Sequence, residues 1–363
     1  MSNKNKNTTA KRQDVSGKLP KKLNNLMTIE DKIKKFDDAL LKLFPGIDTD
    51  FLQSGYGKNG NIDWQNIQFH IPSNNSNLAK SPYFYENKSL LHFSNIYSLS
   101  SILQEKNIRF YNLHNLNDPR EFTFASNVFN INEDLIQDSK DNIFTMSFCE
   151  IEILKKSTSE FNMWRLYGDK GKGVALVFKI VNDPKEWEDF HVSKIIYGTS
   201  ERFKFVKLLN LLNELNQNLP RLEVDFGKIL AFHKSRLFEL EKEVRIIFDK
   251  REKRIGMQSK TVSNKTKQIF PIIKSDLAKL VDNTSNIKYL KLPIFSEGNN
   301  NYDSEIPLLK IEQIILGYNF VDQIPEIKEH IRQLCDEQLG YKPKIIQTRL
   351  KDYYWDIANK ASH

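Results

Sequence analysis

Five short apolar runs, at 90–93, 108–111, 143–149, 174–180 and 244–248, constrain this chain more than any other feature. Each has the length and the β-branched or aromatic content of a strand. In the third, Ile143, Thr145, Ser147 and Cys149 fall on one face and Phe144, Met146 and Phe148 on the other, as a period of two requires. Helical spacing separates some of these runs, as in Ile96, Leu99, Ile102 and Leu103, but not others. Regular strand–helix repetition is therefore missing, and a doubly wound parallel sheet with it. The expected fold is α+β: a mixed, mainly antiparallel sheet core with flanking helices. With 24 Phe and 13 Tyr in 363 residues, large rings can fill such a core.

The formal charge of +8 suggests a polyanion partner until it is located. Residues 1–28 carry +6, with Lys4, Lys6, Lys11, Arg12, Lys18, Lys21 and Lys22 against Asp14, which leaves +2 for the rest. Residues 1–27 read as a basic disordered tail, able to attract nucleic acid at long range. Residues 28–85 read as an N-terminal helical adaptor. Its helix is capped at Thr28, has acidic residues in the first turn and is stopped by Pro45 and Gly46. Residues 55–77 read as a loop with one or two short extended pieces around Trp64 to Phe69. Residues 86–360 read as the catalytic body. Within it, 203–231 looks mainly helical with a break at Pro220, and 249–302 looks loose around a basic run at 250–260.

Several chemistries lack their signatures. Cys149 and Cys335 lie far apart without metal-binding spacing, and the seven His show no paired ligand spacing, so no metal site is expected. The Gly168–Gly173 stretch lacks the phosphate-loop spacing and precedes a strand, as a tight turn does. No G-x-S-x-G is present. No segment has 18 consecutive apolar residues and no apolar leader opens the chain. A cytoplasmic protein without membrane contact is the expectation.

Three polar positions interrupt the apolar runs: His92, Ser147 and the pair Glu241 and Glu243. If the last strand starts at Glu241, both carboxylates share a face with Arg245, their simplest ion-pair partner. Trp164, Arg165 and Tyr167 form a patch that can pack against the strands or meet a planar base or a phosphate. Asn117, Asp118 and Glu121 surround a turn at Pro119, where an Asp side chain can cap the bend, and they rim whatever pocket forms.

Taken in order, L-L-H-F-S at 90–94, S-S-I-L at 100–103, I-R-F-Y at 108–111, L-N-D-P-R-E at 116–121 and M-S-F-C at 146–149 resemble the bacterial domain of unknown function 2971 family. M-W-R-L-Y at 163–167, G-V-A-L-V-F at 173–178, F-E-L-E-K-E-V-R-I-I-F at 238–248 and I-I-L-G at 314–317 extend the resemblance over roughly 90–357. The pattern also looks like the ADP-ribosyltransferase superfamily, which implies an ADP-ribosyltransferase-like fold and NAD as the cofactor. On that resemblance His92 holds the adenosine-side ribose, and Ser147, Arg109, Trp164, Arg165 and Tyr167 complete the NAD site. Glu243, or Glu241 in a shifted register, is the catalytic carboxylate, with His92 beside it. The implied role is a toxin or antiphage-defence effector that modifies a protein or nucleic-acid acceptor. Two alternatives stand beside it: a metal-dependent nuclease using Asp118, Glu121 and the carboxylates at 241 and 243, and a noncatalytic binding or sensor module.

Overall fold

The computed structural model describes residues 27–71, 76–113, 120–132, 136–187, 189–251, 269–272, 287–299, 302–320, 324–350 and 352. The basic tail, Asn117, Asp118 and most of the basic run at 250–260 lie outside them. The elements in the first half are α1 (Ile29–Leu43), β1 (Asp48–Tyr56), β2 (Ile62–His70), β3 (Ser89–Ser94), α2 (Ile96–Glu105), β4 (Asn107–Asn112), α3 (Arg120–Phe129), α4 (Gln137–Asn142), β5 (Ile143–Glu150), α5 (Ser157–Leu166) and β6 (Val174–Ile180). Then come β7 (Phe190–Lys194), β8 (Ile196–Tyr197), α6 (Arg202–Leu215), β9 (Arg221–Asp225), α7 (Gly227–Leu230), β10 (His233–Lys234), β11 (Glu243–Asp249), β12 (Ile269–Ile272), β13 (Ile287–Pro293), β14 (Leu309–Leu316), α8 (Ile324–Leu339) and β15 (Lys344–Gln347).

Ten of the described strands form one sheet, in which β14–β15 is parallel and the other ladders are antiparallel. The α+β class with a mostly antiparallel sheet and flanking helices is what the irregular alternation predicts. The sheet forks at β5. One side of β5 is paired along Ile143 to Cys149 with β11, which in turn pairs with β7. The other side is shared. Leu90 and Leu91 of β3 pair with Glu150 and Cys149, and Tyr111 and Asn112 of β4 pair with Thr145 and Phe144. From there β3 turns away toward β6 and β14, and β4 toward β13 and β12. Among the described strands, none pairs with Met146, Ser147 and Phe148 on that side. Ser147 is consequently exposed in the middle of a central strand.

Alternation decides what covers each face. Phe144, Met146, Phe148, Val244, Ile246 and Phe248 point to the side where α2 contributes Leu99, Ile102 and Leu103 and α8 contributes Ile331, Cys335 and Leu339. On the opposite face two apolar patches form. Leu91, Phe93 and Cys149 pack with Met163 and Trp164 of α5, while Ile143 and Ile247 join Phe36, Phe69, Phe205 and Phe226. Burial of rings of this size removes roughly 150–250 Å² each from water. Between the two patches this face carries charge.

The segment read as an adaptor shares its core with later residues. Thr28 caps α1 by accepting from the Asp31 N–H at 3.2 Å, as its sequence predicts. Phe36, Leu40 and Phe44 of the α1 region pack with Phe205 and Leu208 of α6, and β2 pairs in parallel with β9. One expectation is corrected here, and one strand has no sequence assignment. Residues 221–225 are strand rather than helix: Arg-Leu-Glu-Val-Asp alternates with period two, and it buries Leu222 and Val224 beside β2. Residues 48–56 form β1, the first half of a hairpin with β2. Its half-buried residues carry too little apolar alternation to signal a strand. In the stretch that looked loose, β13 pairs with β4 and buries Leu290 and Leu292.

Two histidines are locked into this core. His191 is 5% exposed and donates from Nε2 to the Tyr83 carbonyl at 3.0 Å. His233 is 1% exposed and has Nε2 2.8 Å from the Tyr83 hydroxyl. Burial pushes their pKa values down to about 4 and about 3 from 6.5, so both are neutral in the folded chain. Their contribution to stability is complete above 6.5 and is lost as pH falls toward these folded values, because the unfolded chain then takes up protons that the native core refuses. Each contributes a slope of about 1.4 kcal/mol per pH unit at most. Thermal unfolding scans should show Tm falling between pH 6.5 and 4.5, and a flat Tm across that interval would contradict neutral burial.

Candidate functional site

At the fork a cavity of about 670 Å³ opens, lined by both walls of the split sheet and by α2. Sites for drug-sized ligands fall within roughly 300–1,000 Å³. His92, within β3, lies where the walls part. Its Nδ1 is 3.2 Å from the Ser147 carbonyl, one of the groups that the fork deprives of a strand partner. A carbonyl only accepts, so Nδ1 carries the proton and Nε2 is left as the acceptor. Burial drives the imidazole pKa down to about 4, with the Ser147 hydrogen bond opposing, so the ring is neutral near pH 7. Its edge packs against Phe148, with ring centroids 6.0 Å apart.

One end of the cavity is a buried charge cluster. Lys234 Nζ lies 2.7 Å from Glu241 Oε2, 2.9 Å from Glu243 Oε2 and 3.1 Å from Glu121 Oε2. Arg245 donates from Nε to Glu243 Oε1 at 2.6 Å, from one terminal nitrogen to the Ala231 carbonyl at 2.7 Å, and from the other to Glu121. Tyr167 donates to Glu241 Oε1 at 2.6 Å, and the Glu243 N–H donates to the Tyr197 hydroxyl at 2.8 Å. The Phe238 ring lies 4.7 Å from the Lys234 ammonium. All three carboxylates are no more than 6% exposed. Ions so far from water persist only when paired and hydrogen-bonded, as these are.

Formally the cluster holds three carboxylates and two cations, an excess of one negative charge. Burial alone would raise the Glu243 pKa, but Arg245 and Lys234 outweigh it and bring it down to about 2. Glu243 is therefore a permanent anion, suited to stabilising positive charge and unsuited to donating a proton. Cys149 lines the same cavity, yet burial, reinforced by Glu243 and Glu241, pushes its thiol well above the usual range. It is a weak nucleophile there.

The structure gathers His92, Arg109, Ser147, Tyr167, Glu121, Glu241 and Glu243 around this one cavity. Arg109 stands on the far wall, paired with Glu105 at 2.6 Å. Trp164 and Arg165 do not reach it. Trp164 is fully buried against Phe93 and donates to Glu160 at 3.1 Å, while Arg165 is exposed. Asn117 and Asp118 lie outside the described residues. The expected register is corrected for Glu241. The strand begins at Glu243, and Lys242 adopts φ 43°, so Glu241 enters the cluster from a 3-10 turn and not from the strand face. Lys234, which ties the three carboxylates together, gave no sequence signal: it sits on the two-residue strand β10, too short for any periodicity. Among the described residues no group of His, Cys, Asp and Glu is arranged to hold a metal ion. No helix among them is long and apolar enough to cross a membrane.

Residues 163–246 match the model of a family described as a protein of unknown function, DUF2971. That span includes Tyr167, Lys234, Glu241, Glu243 and Arg245, whereas His92, Glu121 and Ser147 precede it. No curated protein and no solved structure matches the chain.

Proposed function

We propose that the forked cavity binds NAD and that the protein is an ADP-ribosyltransferase-like enzyme acting on a protein or nucleic-acid acceptor. One observation carries this reading. His92, Ser147 and Glu243 stand on three adjacent strands, β3, β5 and β11, and line one cavity of fitting size. These are the residue types that the superfamily resemblance calls for. The neutral His92, with Nε2 free to accept, suits a ribose hydroxyl. The pinned Glu243, in a cluster with excess negative charge, suits the carbon that becomes positive as the bond to nicotinamide breaks. The bonding electrons leave with nicotinamide, and the acceptor forms the new bond and loses a proton. In a water-poor site such a fixed anion acts far more strongly than in water.

The nuclease reading finds less support, because Lys234 occupies the position between the three carboxylates where a cation would sit. The toxin or antiphage role, the cytoplasmic location and the nucleic-acid contact through the basic tail belong to this proposal and follow from the resemblance and the charge distribution. Purified protein incubated with labelled NAD, with and without cellular protein and nucleic acid, should release nicotinamide and form a labelled adduct. Absence of both products from folded protein would overturn the assignment.

A further inference from the structure

Thr145 is the residue of this cavity that the charge cluster leaves unexplained. It lies on β5 two residues before Ser147 and on the same face, is 3% exposed, and lines the cavity. Its hydroxyl has no hydrogen-bond partner among the described residues. Burying a hydroxyl without a partner costs on the order of 1–3 kcal/mol, a cost that a ligand could offset by supplying one. Directly across the ladder stands Tyr111, half-buried and also lining the cavity.

We infer that Thr145 and Tyr111 form a subsite for a planar, uncharged nitrogen heterocycle, the adenine base of the dinucleotide. This rests on the NAD reading above. The place of the subsite follows from strand geometry: Glu243 pairs with Cys149, four residues along β5 from Thr145, or roughly 14 Å. The bond that breaks must lie beside Glu243, so the group meeting Thr145 belongs to the far half of the ligand. A ring face offers Tyr111 a stacking surface, and a ring nitrogen or exocyclic amine offers the hydroxyl the hydrogen bond it lacks.

The test is calorimetric titration of NAD, ADP-ribose and nicotinamide mononucleotide into the wild type, Thr145→Val and Thr145→Ser. Valine keeps the shape and removes the hydroxyl. Its affinity for NAD and ADP-ribose should fall by about 5- to 30-fold, as loss of one buried hydrogen bond does. Nicotinamide mononucleotide, which lacks adenine, should be affected less than twofold, and serine should restore binding. Without ligand, Thr145→Val should melt at the same temperature as the wild type or higher, since an unsatisfied group has been removed. A lower Tm would mean that the hydroxyl is engaged within the protein, and that overturns the proposal. Equal NAD affinity in wild type and valine variant overturns the subsite while leaving the NAD reading intact. If the wild type binds neither NAD nor ADP-ribose, the NAD reading fails and this assignment fails with it.

Discussion

Glu243→Gln is expected to lower nicotinamide release from NAD by about 10²- to 10³-fold, the loss typical when one preorganised electrostatic group is removed from an active site. The fold should survive. Arg245 keeps Glu121 and the Ala231 carbonyl, Lys234 keeps Glu121 and Glu241, and the glutamine oxygen still accepts. The formal charge of the cluster rises from minus one to zero, which removes the excess that the proposed chemistry uses. Steady-state turnover combined with circular dichroism separates the two effects, and wild-type turnover in a folded variant would remove Glu243 from the mechanism. The same residue predicts acid sensitivity. A carboxyl held at about 2 in the fold and near 4.5 in the unfolded chain contributes on the order of 3 kcal/mol above pH 4.5, lost as pH falls toward 2.

Lys234→Met should produce the largest loss of stability, about 3–5 kcal/mol by denaturant unfolding at pH 7, the range for removing one partner of a buried ion pair. Three carboxylates would then face Arg245 alone, and loss of the Lys234 ammonium, which helps hold the Glu243 pKa down, would raise it. Groups raised in the fold stabilise below their folded pKa and lose that contribution as pH rises. The deficit relative to wild type should therefore shrink toward pH 5 and widen toward pH 8. A deficit independent of pH would mean that lost packing of the side chain over Phe238, and not the charge, accounts for the change.

Much of the fold was legible because its signals are local. Thr28 caps a helix whatever surrounds it, and the alternation from Ile143 to Cys149 fixes which side chains share a face wherever the strand lies. The strand at 221–225 escaped because five residues after a helix carry a weak period-two signal, and partnership with β2, more than 150 positions earlier, decides their state. The site divides in the same way. His92, Ser147 and Glu243 announce themselves as polar residues in apolar runs. Lys234 and Thr145 do not: one belongs to a strand of two residues, and the other is an ordinary strand former whose unusual property, a hydroxyl with no partner among the described residues, exists only in three dimensions.

Open strand edges commonly invite a second chain to add itself to a sheet. The unpaired side of Met146, Ser147 and Phe148 is an edge of this kind, yet it lies inside the molecule between diverging walls. The backbone of these three residues borders the cavity of about 670 Å³ in place of another described strand. The fork thus turns a feature that usually promotes aggregation into a wall of the cavity.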